Sequence, residues 1–525
     1  MNKEHRLLRV FPFADKSIHK YLVVLLALAL LGVPASVAPV ISAPKTPPKT
    51  LKIIQLYSTA ETSTSAAVVW NTNIASDSLV QYSTTNPVPA SAPTMYSASQ
   101  VTYHEFALSG LAPGTLYFYK VTSCTRKACV TASGSFDTFP SCPDIVPPAS
   151  GSWQRTFSPN ISGATAVTNQ LLSVAAVSEN DVWAVGWAQD PNGPPYFKRP
   201  LAQHFDGGTW NIVPSPNPAN DTQSVLHSVS ATSANDVWAV GVTHNGSFPA
   251  RTLIQHWDGT EWRIVPSPNP DDQVNELHGV AALSANDVWA VGFSFGSQSE
   301  SNIDTLILHW DGVSWSEVAT PNNVLGVANQ LFGIAAISTN DIWAVGSAGG
   351  EAISMHWNGS AWSTVPLPQD AGLSSEVLAA VSGSAGNDVW VVGRGKGIFS
   401  NQTFATIRHW NGARWTQKVC RAASASNPPD GYEGGGPDSY LTGISAAASN
   451  DVWAVGVVGS GPIILHWDGQ AWTTVTHPRA FPNSHILRGV ATTTGGSAWS
   501  VGGEIEVSPS GSASPERTLI ERYTP

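Results

Sequence analysis

The nonapeptide SANDVWAVG occurs twice, letter for letter, at 233–241 and 284–292. Near-copies begin at 178 (SENDVWAVG), 338 (STNDIWAVG), 384 (SAGNDVWVVG) and 448 (ASNDVWAVG), with a degraded GGSAWSVGG from 495. A short apolar segment with small residues, such as LHGVAAL, precedes each copy. A second apolar segment such as TLILHW follows it, then a tight Asp-Gly or Asn-Gly turn (WDGVSW, WNGSAW) and a W-x-x-V-x-x-P segment. That is four strands per unit at 46 to 63 residues per unit. A four-stranded unit of this kind buries its faces only against its neighbours, which is the arithmetic of a propeller blade. Seven copies predict seven blades. The composition agrees: only 12% of residues are charged, while 45 glycines and 38 prolines supply turns for many short strands.

The seventh copy reads ILRGVAT, SAWSVGG and RTLIERY, and no W-x-x-V-x-x-P segment follows it before Pro525. The matching piece lies upstream. GSWQRTFSPN at 151–160 sets Trp153, Pro159 and Asn160 at the offsets of Trp262, Pro268 and Asn269, with no blade of its own before it. The N-terminal strand is therefore expected to complete the last blade and close the ring, removing a sheet edge that would otherwise pair with other chains. The order of features resembles the kelch repeat, with a Gly ending the second strand, an aromatic on the third and a Trp opening the fourth. It departs from kelch in carrying mostly one Gly where that family has two, and His-Trp where it usually has Tyr.

Residues 51–140 show a different pattern of short alternating segments, AAVVW, SLVQYST, YHEFALSGL, LYFYKVTSC and CVTASGSFDTF, spaced as in a β-sandwich. The run LSGLAPGTLYFYKV resembles the fibronectin type III signature. That resemblance makes Tyr117 the corner tyrosine, bonding back to nearby backbone, and Trp70 the core tryptophan of the second strand. The variant found at the front of purple acid phosphatases is similar, but no metal-ligand pattern follows it here. The expected fold is thus all-β, a fibronectin-like sandwich at 51–140 and a propeller at 151–525, joined by a linker at 141–150.

The first 43 residues differ in kind: a basic stretch leads into YLVVLLALALLGV and then PASVAPVISA. They read as a secretory signal with cleavage after Ala35 or Ala43, or as an uncleaved membrane anchor, followed by a Pro/Lys linker at 44–50. A secreted or cell-surface location is expected. In an oxidising compartment Cys124 and Cys129, flanking the turn TRKA between two strands, are the expected disulfide. Cys142 and Cys420 either pair or stay free. A net charge of -11 offers no patch for phosphates, so nucleic acid is not an expected partner. The pattern predicts a monomer and calls for no cofactor or metal; GxxxxGK[ST], HExxH, GxSxG and paired CxxC are absent from the sequence.

Asp181, Asp236, Asp287, Asp341, Asp388 and Asp451 recur in the motif, and His204, His256, His309, His356, His409 and His466 recur in the third strands. An active site is built once, so residues repeated in six blades are assigned to structure. In the seventh copy Ser497 and Arg522 replace both together, which predicts that Asp and His bond to each other within a blade. Of 21 tryptophans, 19 fall at recurring blade positions, and Trp187 is the propeller's exception. The glycines that end the motif, such as Gly241 and Gly292, are read as sites of tight backbone approach or as strand exits.

In an antiparallel blade the loops after strands two and four emerge on one face, and here those loops are the variable ones. Binding is expected on that face, with Trp187, Tyr196, Phe248, Phe295, Phe399 and Tyr432 as ring platforms and Asp190, Arg394 and Lys396 as polar partners. These rings could equally pin their own loops. The leading expectation is a non-catalytic protein that binds glycan or an extracellular protein, with the sandwich as spacer. The alternatives are a polysaccharide-active enzyme, for which no catalytic residue can be nominated, and a structural envelope component.

Overall fold

In the motif Asp-Val-Trp-Ala-Val-Gly the apolar residues run without interruption, as they do in strands covered on both faces. Val288, Trp289, Ala290 and Val291 are accordingly all buried. The computed structural model describes residues 50–525, except 61–63, 113–114, 139–150, 163–166, 192–193, 195–196, 247–248, 298–302, 322–326, 369–372, 398–402, 418–437, 460, 477–483 and 506–513. The signal or anchor segment, Cys142 and Cys420 lie outside the described residues.

The N-terminal domain consists of β1 (Ile53–Ala60), β2 (Ser65–Ser83), β3 (Thr94–Ser109), β4 (Leu116–Cys124) and β5 (Cys129–Asp137). β2 pairs with β1 along Ala66–Thr72 and with β4 along Leu79–Ser83, so one long strand serves both layers of the sandwich. Its core gathers on Trp70, which is fully buried and donates from Nε1 to Ser123 Oγ at 2.8 Å. Tyr117 Oη accepts the Ala112 amide at 2.9 Å, the back-bond of a tyrosine corner. Cys124 and Cys129 face each other across the β4–β5 hairpin and are disulfide-bonded.

The propeller follows. Its third blade shows the pattern, with antiparallel strands Val274–Ser284, Asp287–Phe295, Asp304–Trp310 and Trp315–Glu317 in that order. The first strands of the other blades are Asn169–Ser178, Gln223–Ser233, Asn329–Ser338, Leu373–Ala385, Ser439–Ala448 and Ser484–Thr492. Each packs against the first strand of the next blade, and the seventh packs against the first, so the ring closes around an axis lined by the first strands. The fourth strand of blade seven is β6 (Ser152–Thr156), which pairs with Arg517–Thr524 and sets Trp153 opposite Tyr523. Trp153 meets Trp453 edge-on with centroids 5.4 Å apart, the contact that Trp262 makes with Trp183.

Aromatic rings fill every blade-to-blade seam. The third- and fourth-strand tryptophans of one blade pack on the motif tryptophan of the blade before, as Trp310 and Trp315 do on Trp238. Phe205 and Trp210 do the same on Trp499 where blade one meets blade seven. Contacts of this geometry add to the apolar area they bury.

A single irregularity recurs in every first strand. In blade three Leu277 pairs with Gly292 and Gly279 with Val291, leaving His278 without an opposite residue, and all seven first strands carry this bulge at the same register. The bulge pushes a carbonyl toward the second strand. A Cβ on the motif glycine would stand 1.9–2.1 Å from that oxygen in every blade, which explains why the motif ends in Gly.

Candidate functional site at the channel mouth

The repeated polar residues form one device. His Nε2 lies 2.7–2.9 Å from Asp Oδ1 in the pairs 204/181, 256/236, 309/287, 356/341, 409/388 and 466/451. The same Oδ1 accepts the indole N–H of the motif tryptophan two residues on in blades two to six, at 2.8–3.1 Å. The imidazole lies against that indole, with centroids 4.1–4.5 Å apart. In blades two to six each Asp thus locks a Trp and a His whose rings pack together. The sequence does not lead one to expect the indole bond, because there Trp has only a packing role. In blade seven the Arg522 guanidinium lies over Trp499 at 5.0 Å, so the cation keeps the ring contact after the Asp and His are gone.

The bulge builds the opposite kind of surface. Its extra residue is Leu172, His227, His278, Phe332, Ala379, Thr442 or Arg488 in successive blades, and all seven line a central channel of about 590 Å³. The position is repeated but its chemistry is not. First strands start beside the ends of second strands, as in the pairing of Gln223 with His244, so the beginning of each first strand lies toward the variable-loop face. The residue two before the bulge position, such as Glu276, therefore lies on the side of the bulge toward that face.

Three potential ligands meet there. Glu276 Oε1 stands 3.2 Å from His278 Nε2 and 3.6 Å from His227 Nδ1, and one ligating atom from each of the three residues lies within 4.8 Å of the others. His227 Nδ1 donates to the Leu277 carbonyl at 3.0 Å. The two imidazoles lie nearly parallel, with centroids 4.6 Å apart. Burial, reinforced by the charge of His278 and only partly opposed by Glu276, lowers His227 to about 4, so this ring is neutral near pH 7. Burial works against ionisation of Glu276, but His278, His227 and His244 outweigh it and hold the carboxyl below its ordinary value. None of these three residues is a ligand expected from the sequence. The available signal was that His227 and His278 occupy the same register position in consecutive repeats.

Around this cluster stand further residues that do not repeat. Trp187, Phe293 and Arg394 share the position directly after the motif glycine. Phe293 stacks on His278 at 5.6 Å, Arg394 lines the channel, and Lys198 Nζ sits 4.3 Å over the Trp187 ring. Burial lowers the Lys198 ammonium from its usual value. On the far side Arg488 pairs with Glu516 at 2.7 Å, and Gln170 donates to the same carboxylate.

The nominated residues divide accordingly. Arg394 lines the channel, and Trp187 carries Lys198 over its ring. Asp190 is buried and ion-paired with Arg199 at 2.7 Å, while its amide bonds Phe197, so it organises its own loop. Phe295 packs against the cluster of Ala250, Val274 and Phe293. Lys396 is exposed on the second strand of blade five. Tyr196, Phe248, Phe399 and Tyr432 lie outside the described residues.

The strand pairing defines a seven-bladed β-propeller preceded by a β-sandwich. Residues 52–138 match the purple acid phosphatase N-terminal domain, about a sixth of the chain. No curated protein matches the chain. Among solved structures, apo AztD from Citrobacter koseri aligns over 78% of this chain and 95% of its own, at 9% identity and a TM-score of 0.33. A puromycin-hydrolysing peptidase from Mycobacterium tuberculosis aligns over 66% of this chain and 52% of its own, at 13% identity and a TM-score of 0.37.

Proposed function

We propose that this chain is an exported, non-catalytic binding protein whose kelch-like propeller takes a glycan at the channel mouth on the variable-loop face, with the fibronectin-like sandwich as spacer. One observation carries the reading. Side chains that repeat are consumed by the Asp–His–Trp device and the aromatic seams, whereas the bulge positions vary in chemistry and line one channel, which Arg394 also lines. Trp187 supplies a ring of the kind that stacks on a sugar face, and Lys198, Arg394 and the Glu276 carboxylate supply polar partners around it.

A glycan array probed with the purified full-length chain tests this. Selective capture of a subset of glycans is expected, with at least a tenfold loss of affinity in Trp187→Ala and Arg394→Ala at unchanged thermal stability. A chain that captures no glycan, or variants that bind as well as the parent, would overturn it. Capture of an extracellular protein by the same face would replace glycan with protein as the ligand.

A further inference from the structure

We infer that His227, Glu276 and His278 form a site for a divalent transition-metal ion of the zinc class, held at the channel mouth with an open coordination position facing the channel. The inference deepens the proposed function and rests on it for the placement of the ligand site, but its evidence is separate.

Two imidazole nitrogens and one carboxylate oxygen make a borderline donor set suited to zinc and its neighbours, whereas magnesium and calcium take all-oxygen shells. A tetrahedral zinc with arms of about 2.0–2.1 Å needs donor atoms about 3.3 Å apart. The contact of 3.2 Å from Glu276 Oε1 to His278 Nε2 is already of that size, and one ligating atom from each of the three residues lies within 4.8 Å of the others. Small side-chain rotations would bring them onto one ion.

The surroundings are those of a held ligand set. Among the described residues His278 Nε2 is shielded from solvent and its polar neighbour is Glu276 Oε1, 3.2 Å away. The Leu277 carbonyl takes the Nδ1 proton of His227, which leaves Nε2 with its lone pair; a bond of this type commonly orients a ligating histidine. Phe293 and Phe332 pack on the face and edge of the His278 ring and fix its plane. His278 and His227 are bulge residues, so their rings reach the channel that Leu172, Ala379 and Thr442 line in other blades without offering a strong ligand. Three protein donors beside an open channel leave the fourth position for water or a donor atom of a bound molecule.

The test uses the tag-free full-length chain, stripped with chelator and titrated with zinc by calorimetry, and with cobalt(II) by visible absorption. One zinc per chain with a micromolar or tighter Kd is expected, together with the intense cobalt bands of a four-coordinate site. His227→Gln and His278→Gln should each weaken binding at least tenfold, and Glu276→Gln should do so without removing a histidine. Chelator-stripped variants should unfold at the parent's midpoint, and zinc should raise that midpoint in the parent alone. Absence of a saturable single site, or undiminished binding in the His227→Gln/His278→Gln double variant, would overturn the metal site. A silent zinc titration beside glycan capture that depends on Trp187 sinks the metal and leaves the binding reading intact. Zinc bound by a chain that captures neither glycan nor protein does the reverse.

Discussion

The outer part of each blade and the rim of the channel are built from the same repeat, yet they obey opposite rules. In the outer part six blades carry the same Asp–His pair with bonds that differ by only 0.2 Å, from 2.7 to 2.9 Å, and rings fill each seam in the same way. At the rim the bulge residue changes from leucine to histidine, phenylalanine, alanine, threonine and arginine around the ring. Neighbouring blades must fit each other in the outer part, so its residues are fixed by packing. The bulge residue has no opposite residue on the second strand and lines the channel, so the strand pairing leaves its chemistry free to vary.

The comparison can be broken at several points. The strongest blow falls on the clasp: Trp153→Ala removes a buried indole from the seam with Trp453 and should cost about 3–5 kcal/mol in denaturant unfolding. A loss under about 1 kcal/mol would mean that blade seven is not held as the others are. Next comes the bulge. Gly292→Ala places a methyl 1.9 Å from the Glu276 carbonyl, and the strands must part to admit it, at a cost of about 2–3 kcal/mol. Because Glu276 supplies the crowded carbonyl and His278 is the extra residue of that bulge, the same variant should also disturb the rim, which would separate it from a purely outer lesion such as Trp153→Ala.

Asp388→Asn sharpens the comparison by pH. Burial raises the cost of ionising Asp388, but bonds from His409, Ser384 and Trp390 outweigh it and hold its carboxyl below the ordinary value. A carboxyl lowered in the folded state contributes stability that is fully present above the unfolded-state value and is lost as pH falls through the folded-state one. The variant should therefore be weaker by about 1–2 kcal/mol at pH 7, with the gap closing as pH drops below about 4. A gap that stays constant down to pH 3 would show that the charge of Asp388 contributes nothing to the blade.

The architecture was largely legible because repetition displays it. Seven copies of one strand pattern gave the blade number, and the absent fourth strand of the last copy located its replacement at Trp153. Tyr117 was legible through the residues around it. The rim was not, for a physical reason: a bulge inserts one residue without changing the apolar pattern on either side, so His278 in LHGVAAL reads as an ordinary strand residue. The motif glycine was its trace, since only a displaced carbonyl demands a missing Cβ there. Asp190 and Phe295 were nominated for standing in variable loops; Asp190 is ion-paired with Arg199, and Phe295 ends a strand and packs on Ala250, Val274 and Phe293. Trp187 was nominated because it breaks the tryptophan pattern, and the same test applied to histidine returns His227 and His278 together with His244, His477 and His485.

The clasp also sets a timetable for the growing chain. Thr156 and Ile520 are hydrogen-bonded across 364 residues, so the first propeller strand to be synthesised waits for the last. At typical synthesis rates that interval is roughly 20–70 s. Blades one to six can form in order while it runs, but blade seven cannot. Until the final residues arrive, β6 is a loose strand and the ring is an open arc with two unpaired ends, which makes the moment just before completion the most exposed in the life of this protein.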